Sequence, residues 1–94
     1  MHLIELLRSV SEWNDDDTTI FATQPWSCGA AAILVTPAPA GTEPIQQDGT
    51  SYDYFNETFV ARDFLEDFLA SEEGASATER QRCERLIRYA QDDA

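Results

Sequence analysis

The stretch "TQPWSCGAAAILV", residues 23–35, sets Cys28 on a Pro/Gly-punctuated turn ahead of an apolar run. A cysteine nucleophile acts as its thiolate. It needs a base, usually His, and surroundings that lower its pKa. The chain has one histidine, His2 beside the starting methionine, where termini tend to fray, and it has no Lys. Its 18 carboxylates raise a thiol pKa rather than lower it. Free cysteine is among the most buried residue types and packs as a small apolar group. Cys28 is therefore read as packing where a strand enters the core, and the chain is read as non-enzymatic.

The other chemistries give less. Cys28, Cys83 and His2 do not make the four-ligand, paired spacing of a zinc site, and two free, partly buried thiols are expected. Asp15, Asp16 and Asp17 offer carboxylates for a hard cation, but "DDDTTIFATQPW" lacks the alternating ligands, central Gly and terminal Glu of an EF-hand loop. The run reads as a solvated, helix-terminating turn. No P-loop, dinucleotide fingerprint or G-x-S-x-G is present, so neither metal nor cofactor is expected. Four Arg lie along "ERQRCERLIR", where Glu79 and Glu84 offset them, and a globally negative protein is driven off a phosphate backbone.

Charge is the strongest compositional signal. The net charge is -12, and all six basic residues are Arg. Residues 1–79 hold 15 acids with only Arg8 and Arg62, whereas residues 80–94 hold four Arg and three acids. Such a field repels nucleic acid and anionic membrane and steers basic partners inward. The same acidity can also serve solubility alone. At 94 residues with 43% hydrophobic content, one folded domain is expected. The longest apolar run, Ala30 to Val35, is far too short to span a bilayer, and charges inside "MHLIELLRSVSEW" argue against a secretory signal. A cytoplasmic location is expected.

Elements follow from periodicity. Leu3, Ile4, Leu7 and Val10, flanked by Leu6 and Trp13, predict an amphipathic helix over 2–13. "TTIFAT" predicts a strand over 18–23, and "AAAILVT" a strand buried on both faces and central in its sheet. The two form an antiparallel hairpin. Residues 37–51, rich in Pro and Gly, read as a long surface loop. A short strand over 52–57 leads into a helix whose core stripe is Val60, Phe64, Leu65, Phe68 and Leu69. "SEEG" ends that helix with Gly74 as a left-handed cap. Ser76 and Glu79 then form a capping box for a last helix that faces inward with Cys83, Leu86, Ile87 and Ala90. The expected fold is a small single α+β domain: an antiparallel sheet of about three strands, one N-terminal helix and two C-terminal helices.

At "YDYFNETFVARDFLEDFLA" and "RLIRYAQDDA", with "IFATQPW" upstream, the sequence resembles a family of small, acidic bacterial proteins. The resemblance covers most of residues 20–94, and its motifs are structural and name no catalytic residue. In size and charge the chain is also similar to immunity proteins of bacterial toxin systems, including contact-dependent inhibition. That likeness implies a cytoplasmic inhibitor of a basic toxin domain, a nuclease, whose active site it covers with an acidic face. The carboxylates expected there are Asp15, Asp16, Asp17, Asp48, Asp53, Glu72 and Glu73, with Trp26 as aromatic anchor. Tyr52 and Tyr54 stand equally as anchors or as core. The alternative is a non-enzymatic adaptor that binds another protein through an apolar helix face, its acidity serving solubility.

Overall fold

The computed structural model describes residues 1–9, 18–37, 41 and 43–92. The elements in chain order are α1 (Leu3–Leu7), β1 (Thr19–Ala22), β2 (Ala32–Val35), β3 (Ile45–Gln47), β4 (Thr50–Glu57), α2 (Thr58–Ala70), α3 (Glu72–Ala75) and α4 (Glu79–Asp92). Together they make an α+β domain with a four-stranded antiparallel sheet in the order β2-β1-β4-β3.

The hairpin of β1 and β2 forms as the sequence predicts, with Ile20 opposite Leu34 and Ala22 opposite Ala32. Its placement differs from the expectation. β1 is central and buried at all four positions, whereas β2 lies at the edge and exposes Leu34. An apolar run can sit there because the N-terminus covers part of that edge. The Ala32 N–H donates to the Met1 carbonyl at 2.8 Å, the Leu3 N–H donates to the Ala30 carbonyl at 2.8 Å, and His2 pairs with Ala31. The N-terminus is thus pinned rather than frayed.

The stretch read as a loop over 37–51 contains β3 and the turn into β4, which adds a fourth strand to the expected three. Asp48 and Gly49 both have positive φ, 53° and 78°, as a two-residue type I′ hairpin turn requires. β4 is longer than expected, and its register against β1 shifts between Ile20 and Phe21. This bulge leaves Tyr54 opposite Phe21, their rings edge-on at 6.0 Å, and sends Phe55 to the other face.

That other face is the core. Ile20, Ala22, Ala32 and Phe55 meet Leu3 and Leu6 of α1, Ala61 and Leu65 of α2, and Cys83, Leu86, Ile87 and Ala90 of α4. The apolar positions recur every three or four residues on each helix, so one stripe per helix reaches the sheet. α1 ends at Leu7, short of the predicted 13; Ser9 caps it by donating from Oγ to the Leu6 carbonyl at 2.9 Å. Val10 and Trp13 lie outside the described residues.

α2 starts where the Thr58 N–H and hydroxyl both donate to the Thr18 carbonyl, at 3.0 and 3.1 Å. It stops at Ala70 because Ser71 turns extended and uses its Oγ to accept the Gly74 N–H at 3.0 Å, opening α3. Gly74 is therefore inside a short helix and is not the left-handed cap that the sequence suggests. The capping box of α4 is displaced as well. It joins Thr78 and Gln81, whose side chains each accept the other's backbone N–H at 3.2 and 2.8 Å. Glu79, freed from that role, reaches Arg8 at the end of α1 at 2.6 Å.

Candidate functional site

Carboxylates concentrate in one continuous part of the chain. Residues 43–73, from the approach to β3 through α3, carry nine acids and a single cation, Arg62. Cations gather instead on α4. There Arg80 lies 3.9 Å from Glu84, Arg85 pairs with Glu73, and the Arg82 Nη2 donates to the Ala77 carbonyl at 3.2 Å. Charge is therefore segregated along the chain, and the Arg85–Glu73 pair joins the two regions.

The expected site residues are scattered across this surface. Asp48 is exposed at the tip of the β3–β4 hairpin, held in a left-handed conformation that Asp tolerates better than most residues. Asp53 is half-buried on β4 opposite Ala22. The Trp26 indole N–H points to the Ala22 carbonyl at 3.4 Å, so Trp26 and Asp53 converge on one residue of β1. Trp26 is half-buried, and its ring stands edge-on to Phe55 at 4.9 Å. Part of its surface belongs to the core, which leaves only its outer edge for a partner.

Glu72 and Glu73 are exposed in the first turn of α3, where carboxylates favour the helix terminus. Glu73 is engaged by Arg85, whose guanidinium also lies 5.2 Å above the Phe68 ring. Asp15, Asp16 and Asp17 lie outside the described residues. Tyr52 and Tyr54 are half-buried on the sheet face opposite the helices.

Sequence reasoning left out the carboxylates of α2. Asp63, Glu66 and Asp67 are exposed, while Ala61, Leu65 and Phe68 of the same helix are buried. Their i, i+3, i+4 spacing puts them on one outer stripe, and Phe59, 37% exposed, extends it by one turn. The spacing is visible in the sequence as the complement of the apolar stripe.

Among the described residues, no group of three or more His, Cys, Asp or Glu could hold a metal ion. Cys28 is buried with its Sγ 3.7 Å from the Arg80 carbonyl, and the His2 ring is turned to Glu5 at 3.1 Å. One groove of about 490 Å³ runs between α1, α2 and α4, floored by Ile4, Leu7, Leu65 and Leu69 and rimmed by Arg8, Glu79 and Arg82. No described helix is long and apolar enough to cross a membrane.

No protein-family model, curated protein or solved structure matches the chain.

Proposed function

We propose that the protein is an immunity protein of the cytoplasm, which binds a basic toxin domain, a nuclease, and covers its active site with an acidic face. The observation that carries this reading is the segregation of charge: nine acids against Arg62 over residues 43–73. A nuclease cleft is built to attract phosphate, and fixed carboxylates meet the same requirement. Its long-range field speeds encounter, and the contacts at close range set the lifetime of the complex. Asp48, Asp53, Asp63, Glu66, Asp67 and Glu72 are the described carboxylates offered for this role.

The decisive experiment uses the product of the adjacent reading frame. If that frame encodes a protein ending in a basic nuclease domain, the purified domain should bind this chain and lose activity. Association should slow steeply as ionic strength rises from about 0.05 to 0.5 M, where the screening length shrinks to a few ångströms. A neighbour without such a domain, or binding indifferent to salt, removes the reading.

One observation favours the adaptor reading. The apolar floor of the groove beside α2, with Leu69 41% exposed in it, offers a contact that needs no charge. Leu69→Glu separates the two, because it abolishes docking in that groove and leaves a charge-steered complex intact.

A further inference from the structure

Two thiols far apart in sequence lie in one buried core cluster. Cys28 sits in the connection between β1 and β2, and Cys83 sits in the second turn of α4. The Cys28 Sγ lies 3.7 Å from the carbonyl oxygen of Arg80, three residues before Cys83 on the same helix. Helical side chains lean back over the turn that precedes them, so the Cys83 thiol leans toward that same carbonyl. Both side chains belong to the same buried core cluster. Both are free, and they differ in access: Cys83 is fully enclosed and Cys28 retains 6% exposure.

We propose that Cys28 and Cys83 are a latent redox pair, closed into a reversible intramolecular disulfide by exchange with a small-molecule disulfide. The chemistry proceeds in two steps. The Cys28 thiolate attacks one sulfur of the small disulfide, forming a mixed disulfide and releasing one small thiolate. Cys83 then attacks the Cys28 sulfur, the Cys28–Cys83 bond forms, and the second small thiolate leaves with the Cys83 proton. The two cysteines lose two electrons, and the small disulfide is reduced to two thiols. Access sets the order: Cys28, which keeps some exposure, is the entry thiol, and the fully enclosed Cys83 is the resolving one. The product joins the β1–β2 connection to α4 across 55 positions of sequence. It is independent of the proposed toxin binding.

The test incubates the native protein with 2-hydroxyethyl disulfide, an uncharged reagent that the net charge of -12 does not repel. The expected result is loss of two hydrogens in intact mass, and a non-reducing digest that links the peptides containing Cys28 and Cys83. The melting temperature should rise by on the order of 10 °C, reversed by dithiothreitol, as expected for a cross-link closing a long loop. In Cys83→Ala the mixed disulfide at Cys28 should persist. A wild-type protein that remains fully reduced, keeps the reagent on Cys28, or links Cys28 between molecules overturns the proposal. If Cys83→Ala does not fold, the wild-type digest decides alone.

Discussion

Gly74 lies against the backbone carbonyl of Phe68 so closely that a Cβ at position 74 would fall far inside contact distance of both the oxygen and the carbon. The obstacle is backbone, which cannot swing aside as a side chain can. Gly74→Ala is therefore expected to destabilise the fold by about 3 kcal/mol, the upper range for forced overpacking. The midpoint of urea unfolding measures it, and an unchanged midpoint would refute the packing described for α2 and α3.

The start of α4 makes a paired prediction. Thr78→Ala removes a side chain that accepts the Gln81 N–H and should cost about 1 kcal/mol. Ser76→Ala, at the position favoured by the sequence motif, should change stability by less than about 0.5 kcal/mol. Equal losses at both sites would mean that the helix begins earlier than Glu79.

The hairpin tip depends on its left-handed pair. Gly49, at φ 78°, has open space around it but a conformation that L side chains resist. Gly49→Ala should cost about 1–2 kcal/mol. Amide exchange should quicken first across β3 and β4, the strands that the turn joins.

Alkaline pH should weaken the fold through Cys83. Burial, followed by the neighbouring Cys28, raises its pKa in the folded state, so the folded protein keeps a proton that the unfolded chain releases. The stabilisation is complete below the unfolded thiol's pKa and is lost as pH climbs above it. Stability should fall by about 1.4 kcal/mol per pH unit above about pH 9. Cys83→Ala should flatten that part of the profile, and an unaltered slope would assign it to other groups.

If the acidic face of α2 takes part in toxin binding, Glu66→Lys combined with Asp67→Lys should slow association roughly tenfold at low salt. Dissociation should change little, since exposed charges act mainly on encounter. Stopped-flow mixing with the basic nuclease domain separates the two rates.

The periodic elements were legible in the sequence. The stripe on α4 at Cys83, Leu86, Ile87 and Ala90 is the buried one, and Thr19–Ala22 and Ala32–Val35 pair as an antiparallel hairpin. Strand order was not legible, because continuous apolarity cannot distinguish a central strand from an edge strand covered by another segment, and Met1–Leu3 supplies that cover. β3 was hidden because Gln46 and Gln47 of β3, like Thr50 and Ser51 opposite them in β4, lack alternating hydrophobicity, although Asp48-Gly49 carried the turn signal. The capping box at Ser76 failed because Thr78 and Gln81 offer the same chemistry two residues later. Of the expected site, charge could nominate Asp48, Asp53, Glu72 and Glu73. It could not foresee that Glu73 would be tied to Arg85 or that Trp26 would lean on Phe55.

The position of Trp26 also makes the molecule its own optical gauge. Its indole bridges the β1 backbone at Ala22 and the bulged Phe55 of β4, and Cys28 follows two residues later. Separation of the sheet from its neighbours would wet the ring and shift its emission to the red, and a thiol so near is a natural quencher. With Trp13→Phe the signal would come from one place, so a single fluorescence trace could follow both unfolding and closure of the cysteine pair.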